Sequence, residues 1–358
     1  MQHKRIVIKV GTNVITRDDG KLNITSISHL VDQLVQLKQQ NIEVILVSSG
    51  AVGAGRSMME VPQNMSKIVR RQVLSAIGQV RLMEIYRQLF ANQQLFCAQV
   101  LATKEDFRDR QHYLNMKACF HALIRDKIIP IVNENDVVAV DELMFTDNDE
   151  LAGYIAAMCN AEALIILSSV DGVLTGAPDI PDSKVILEID PLDEENLKFI
   201  LPTRSSFGRG GMHTKFRIAQ KAAKVGISTY IANGSRQNIL LNILNGNYIG
   251  TRFKPQQNVS NVKKWMAYSE EEEKGKVMIN EGAAKAIRDM EKVSSLLPVG
   301  VTKIEGDFQK GDLILILSEA GKTIGYGLAQ YDATTAKTYL GQQGHKALIH
   351  YDYLFVET

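Results

Sequence analysis

Two hydrophobic rhythms alternate along the first two-thirds of the chain. Short β-branched runs at 5–11 (RIVIKVG), 42–50 (IEVILVSSG), 94–101 (QLFCAQVL), 128–133 (IIPIVN), 163–169 (ALIILSS) and 227–234 (ISTYIANG) read as buried strands. Between them lie helical repeats, with Ile27, Leu30, Val31 and Leu34 on one face and Val69, Val73, Ile77 and Val80 on another. Strands alternating with helices at this spacing predict an α/β domain over residues 1–255, a mostly parallel sheet sandwiched by helices. The rhythm stops after Arg252. Residues 256–261 lie in a polar, aperiodic stretch that predicts a linker. From 262 to 358 short strands with close-set turns, and a helix from about Glu281 to Lys292, predict a small β-rich domain.

Composition narrows the function classes. The 358 residues carry 41 Lys+Arg against 40 Asp+Glu, and the span 262–358 holds 12 basic and 14 acidic residues. Nucleic-acid binding needs a basic surplus to neutralise phosphates, so this balance counts against it. Cys97, Cys119 and Cys159 are far apart with no CxxC pair, which fits a reduced, cytoplasmic chain rather than a disulfide framework. No signal-peptide pattern precedes the first strand and no apolar run approaches a membrane span.

Chemistry is expected outside the carboxyl ends of the parallel strands. Lys9 is followed by Gly11-Thr12, and the second strand runs into Ser49-Gly50-Ala51. The fourth runs into Asn133-Glu134-Asn135-Asp136, and the fifth into Ser168-Ser169. Glycine-rich turns let backbone N–H groups approach an anion, and a helix N-terminus favours negative charge. Lys9 either snorkels to solvent or reaches over a phosphate. Lys215 closes the run Gly208-Arg-Gly210-Gly211-Met212-His213-Thr214-Lys215 and opens a helical stretch, where a lysine can project toward an anion. Asp147, Asn148 and Asp149 precede an Ala-rich helix. One of them serves as its N-cap; together with Asn133 and Asp136 they supply carboxylates and amides for an ammonium or for orienting lysines.

Two motifs are set aside. Gly321-Lys322-Thr323 has Ile316 where a phosphate-binding loop of the Walker type needs glycine, so it predicts a hairpin turn. The acidic run Glu270–Glu273 predicts a solvated turn.

Lys9-Val-Gly-Thr, Ser48-Ser-Gly-Ala, Asn133-Glu-Asn-Asp136, Asp147-Asn-Asp149 and Gly210-Gly-Met-His-Thr-Lys215, in this order, resemble the amino acid kinase family. The Asn-Glu-Asn-Asp and Gly-Gly-Met-x-Thr-Lys elements look like its glutamate 5-kinase branch. Ile279–Ala283, Ser294–Pro298 and Gly325–Ala329 resemble the PUA domain that many bacterial members of that branch carry. The resemblance implies ATP- and Mg²⁺-dependent phosphorylation of the γ-carboxylate of L-glutamate, the first step toward proline, with proline as feedback inhibitor and a dimer or tetramer as the assembly. It also implies site roles. Lys9 and Lys215 would be catalytic, with Asp149 orienting them. Ser49, Gly50, Ala51, Asn133, Asp136, Asp147 and Asn148 would hold glutamate. Lys9, Gly11, Thr12, Ser168, Ser169 and the Arg209–Lys215 loop would meet the nucleotide. Magnesium would arrive with ATP, with no side chain expected to ligate it directly.

The sequence departs from the family pattern at Ser168-Ser169, where Thr-Asp is common, and at Arg209, where a small residue is usual; both bear on nucleotide preference. Two other readings stay open: a relative acting on acetylglutamate or carbamate, and an RNA-binding PUA protein on a kinase-like scaffold. The tail shows no evident aromatic platform with interleaved arginines, which counts against the latter.

Overall fold

The computed structural model describes residues 3–62, 64–108, 110–139, 145–176, 183–193, 211–256, 259, 263–264, 273–289 and 294–356. Gly208, Arg209, Gly210, most of the expected linker and Glu270–Glu272 lie outside the described residues. Chain contacts divide the molecule into two units, residues 1–258 and 259–358.

In the first unit the elements run β1 (Arg5–Val10), α1 (Thr12–Ile15), α2 (Ile24–Gln39), β2 (Glu43–Ser48), α3 (Ala51–Met58), α4 (Lys67–Ala91), β3 (Cys97–Ala102), α5 (Glu105–Arg108) and α6 (Arg110–Arg125). They continue β4 (Ile129–Glu134), α7 (Asn148–Met158), β5 (Ala163–Ser168), β6 (Glu188–Ile189), α8 (Met212–Lys224), β7 (Ser228–Asn233), α9 (Ile239–Leu244) and β8 (Gly250–Phe253). One eight-stranded sheet has the order β3-β4-β2-β1-β5-β7-β8-β6. From β3 to β7 all neighbours are parallel. β8 then pairs antiparallel with β7 and parallel with β6. The six apolar runs of the sequence are the six parallel strands. The short strands β6 and β8 carry too few residues to show a period.

Burial explains the layers. Ile6, Ile8 and Val10 of β1 join the core beneath α2, α4 and α9. The alternate positions Val7 and Lys9 belong to the other face, where α7 packs on β1 and β5 and α8 on β7. The inner strands β1, β2, β4, β5 and β7 are therefore apolar on both sides and lack alternation, as a covered parallel sheet requires, whereas β3 at the sheet edge is part-exposed.

α3 and α4 cross in backbone contact. A Cβ at Gly78 would stand 1.8 Å from the Ala51 carbonyl oxygen, and one at Gly55 would stand 2.0 Å from that of Leu74. Only glycine permits this approach. It sets the inner face of α4 against the turn that follows β2.

That inner face is not the one the apolar repeat suggests. The helix forms where expected, but Leu74, Ser75, Gly78, Gln79, Leu82, Ile85, Tyr86 and Phe90 are its buried residues. Val69 is 45 % and Val80 72 % exposed, and Val73 and Ile77 are half-buried. The physical reason is the glycine crossing, which rotates α4 so that small and polar residues face inward.

The second unit contains β9 (Gly275–Ile279), α10 (Glu281–Arg288), β10 (Val301–Gly306), β11 (Leu313–Ser318), β12 (Thr323–Ala329), α11 (Ala333–Tyr339) and β13 (Ile349–Val356). Its five-stranded sheet has the order β10-β9-β11-β12-β13. Val277, Ile279, Phe308, Ile314, Ile316, Ile324, Leu348 and Ile349 form a separate core. Gly321-Lys322-Thr323 sits at the β11–β12 hairpin, with Gly321 at φ +78 and its N–H donated to the Ser318 carbonyl. Tyr351 and Tyr353 are exposed on β13, an aromatic pair the sequence pattern did not single out. Arg288 is the sole arginine after residue 261.

Candidate active site

The carboxyl ends of β1, β2, β4 and β5 open into one cavity of 490 Å³. Lys9, Gly11, Thr12, Ser49, Gly50, Ala51, Asn133, Asp136, Asp147, Asn148, Asp149, Ser168, Ser169 and Lys215 all line it. Residues from distant parts of the sequence are thus brought together by strand order.

At one end two lysines converge on one carboxylate. Lys9 Nζ lies 2.6 Å from Asp149 Oδ1 and Lys215 Nζ lies 2.8 Å from Asp149 Oδ2. Lys9 comes from the end of β1, Asp149 from the first turn of α7 and Lys215 from the first turn of α8. Asp149 is fully buried. Burial alone would push its carboxyl up, but the two lysines outweigh this and hold it well below the usual carboxylate range. Burial opposes the charge on Lys215 as well, and Asp149 overcomes it, so that ammonium is held more firmly than usual. The cluster carries one net positive charge on adjacent helix and strand ends. Asp147 caps α7, its Oδ1 accepting from the N–H groups of Asp149 and Glu150. Its Oδ2 is buried without a hydrogen-bond partner. Burial, then the neighbouring Asp149, push its carboxyl up.

A neutral network spans the middle. Asn148 Nδ2 donates to Ser49 Oγ at 3.0 Å and to Asn133 Oδ1 at 2.9 Å. Asn133 Nδ2 donates to Gln79 Oε1 at 2.9 Å. Gly50, at φ +103, turns the chain from β2 into α3 in a conformation side chains rarely adopt.

At the other end the charge ratio reverses. Asp136 and Glu134 share one guanidinium, that of Arg71, which also donates to Glu134 Oε2 at 3.2 Å. Ser75 Oγ donates to Asp136 Oδ2 at 2.7 Å. Glu134 Oε1 accepts the Phe145 N–H at 2.7 Å. The Phe145 ring is locked between Phe107 and Tyr154. Glu134 thereby ties this end to the 145–149 segment. Burial and the neighbouring Asp136 push its carboxyl up to about 7.

Some expected positions fall elsewhere. Gly211 is the N-cap of α8, and Met212, His213 and Thr214 occupy its first turn without lining the cavity. Arg209 and Gly210 lie outside the described residues. The sequence reading missed Arg71, Ser75 and Gln79, which stand at i, i+4 and i+8 on α4, and the basic wall of Arg56, Lys67 and Arg70. The i, i+4, i+8 polar stripe was the available signal, overlooked beside the apolar stripe of the same helix.

A model of the amino acid kinase family matches residues 4–233 and one of the PUA domain matches residues 275–350. The chain is 50 % identical over 354 residues to a glutamate 5-kinase of Chlorobaculum tepidum, covering 99 % of this chain and 98 % of that one. It is 48 % identical over 356 residues to a glutamate 5-kinase of Bacteroides thetaiotaomicron, again covering 99 % and 98 %. A solved carbamate kinase from Giardia lamblia bound to AMP-PNP shares the fold at a TM-score of 0.52 and 19 % identity, covering 71 % of this chain and 99 % of that one.

Proposed function

The chain belongs to the amino acid kinase family, and on that premise we propose that it transfers the γ-phosphoryl group of ATP to the γ-carboxylate of L-glutamate. A carboxylate oxygen attacks the γ-phosphorus, a new P–O bond forms, and the bond to the ADP oxygen breaks. The products are γ-glutamyl phosphate and ADP. This is the first step of proline biosynthesis.

The observation that carries the mechanism is the convergence of Lys9 and Lys215 on buried Asp149. A carboxylate is already ionised at neutral pH, so no general base is needed. The obstacle is repulsion between two anions. Phosphoryl transfer asks the protein mainly for alignment and charge stabilisation. Lys9 and Lys215, fixed by Asp149, supply positive charge to the transferring group without reorganising during the reaction. The turns after β1 and β5, with Gly11, Thr12, Ser168 and Ser169, and the loop leading into α8, hold the nucleotide. Ser49, Asn148 and Asn133 hold the reacting arm of glutamate, and Asp136 takes its ammonium.

Magnesium belongs to the same proposal. Among the described residues no group of three or more His, Cys, Asp or Glu side chains forms a metal cage. Asp147 Oδ2, a hard oxygen without a hydrogen-bond partner on the cavity wall, fits a magnesium ion carried by ATP phosphates. The ion when bound neutralises phosphate charge.

The chain assembles with copies of itself through the outer face of α4 and the neighbouring edge strand β3. Val69 and Val80 on the helix, and Phe96 (78 % exposed) and Leu101 beside and on the strand, are apolar and exposed. Among the described residues β3 ends the sheet and pairs on one side. A second copy offers the same apolar face and free edge, as a two-fold contact requires. Light scattering of the full chain at twice or four times the 39.8 kDa protomer mass is the expected result, and a monomer contradicts it.

Proline, the end product, also carries an ammonium and a carboxylate on one carbon and acts as a feedback inhibitor. Among the described residues no helix is long and apolar enough to cross a membrane, and a cytoplasmic site of action is proposed.

The test is turnover with ATP and Mg²⁺ in the presence of hydroxylamine, which traps an acyl phosphate as a hydroxamate. L-Glutamate should be selected over L-aspartate, N-acetylglutamate and carbamate. Selection of another acceptor overturns the substrate and keeps the kinase.

A further inference from the structure

Arg71 has no part in the phosphoryl chemistry, yet it stands on the cavity wall at the end opposite the lysines. Its contacts to Glu134 and Asp136 both run through one nitrogen, Nη2. Among the described residues the remaining N–H donors, on Nη1 and Nε, are uncommitted, and the side chain keeps 27 % of its exposure. A guanidinium is a rigid planar fork matched to a carboxylate. Here it is pinned at one tine.

The pinning has a consequence for an amino-acid substrate. Asp136 Oδ2 is engaged by Ser75, and Oδ1 by Arg71. An ammonium group arriving at Asp136 shares Oδ1 with the guanidinium. The α-carboxylate on the same carbon then falls within one bond of Arg71. An ammonium that takes up part of the Asp136 charge frees Arg71 to interact with the substrate's own anion.

We propose that Arg71 determines specificity by reading the α-carboxylate of the substrate, while Glu134 and Asp136 hold its guanidinium in position. The proposal rests on the reading of Asp136 as the ammonium receptor of a glutamate kinase. It explains why α4 brings Arg71 to the cavity and places Ser75 and Gln79 behind the lining, on Asp136 and Asn133.

The experiment uses the full chain with Arg71→Ala and Arg71→Lys. Hydroxamate formation gives kcat and KM for L-glutamate and KM for ATP. The α-amide of glutamate, which lacks the α-carboxylate charge but keeps the γ-carboxylate, is measured beside it as a substrate or as a competitive inhibitor. Arg71→Ala should raise the glutamate KM by about 30-fold, the scale of a charged hydrogen-bonded contact, with kcat within about threefold and the ATP KM unchanged. The preference of the wild type for glutamate over its α-amide should collapse in the variant. Arg71→Lys, which keeps the charge and loses the fork, should restore part of the glutamate affinity. An unchanged glutamate KM overturns the proposal. So does an equal loss for glutamate and α-amide, or a loss that extends to ATP, because a merely structural arginine would produce either. If the wild type itself fails on glutamate, the parent reading of the site fails instead, and the two failures are thereby distinguished.

Discussion

The two ends of the cavity are built from the same parts in opposite proportion. At one end two lysines face one carboxylate, Asp149; at the other two carboxylates, Glu134 and Asp136, face one arginine. The lysines meet at Asp149 and the carboxylates meet at Arg71, and each cluster suits one end of the reaction. The basic end suits a transferring phosphoryl group and the acidic end suits an ammonium. Buried charges are costly unless paired, and each cluster pairs its own members. The neutral Ser49–Asn148–Asn133 network lies between them and keeps the two fields from cancelling directly.

The comparison breaks most sharply at the basic end. Lys215→Ala leaves Asp149 with one lysine and removes a donor from the transferring group, so kcat should fall by about 1000-fold while circular dichroism stays native. Near-normal turnover would remove Lys215 from the mechanism.

A smaller effect sharpens the acidic end. Glu134 is raised to about 7 from an ordinary value of 4.5 by burial first and by Asp136 second. The folded chain therefore holds a proton here that the unfolded chain has released between pH 4.5 and 7. The contribution of this group to stability falls as pH rises through that window and levels off above it. Glu134→Gln does not titrate. Its urea stability relative to wild type should therefore improve by about 2 kcal/mol from pH 5 to pH 8. A flat difference over that range would mean the acidic end carries no such strain.

The two ends also differed in how far the sequence revealed them. Lys9, Asp149 and Lys215 lie in or beside glycine-rich turns and helix starts, where local chemistry marks a site before the fold is known. The parallel strands inside the sheet were legible for a related reason, since burial on both faces leaves unbroken apolar runs. Asp136 was visible in its turn, but Arg71, Ser75 and Gln79 sit inside a 25-residue helix. Their role depends on which face α4 turns inward. That is decided by the contact of Gly55 and Gly78 with the facing helix, a tertiary event that periodicity does not encode. Of the apolar stripe, Val73 and Ile77 are half-buried while Val69 and Val80 point outward and belong to the proposed assembly instead of the core. Ser168 and Ser169, where the sequence departs from the family pattern, line the cavity and belong to neither charged cluster.

The central claim is that the two ends bind two different things. Calorimetry of the full chain would measure L-glutamate and ATP separately against the wild type, Asp136→Asn and Lys215→Ala. The account predicts a crossed result: Asp136→Asn loses glutamate binding by about 100-fold and keeps ATP, whereas Lys215→Ala weakens ATP and keeps glutamate. Equal losses of both ligands in both variants would contradict it, because the cavity would then be one undivided site.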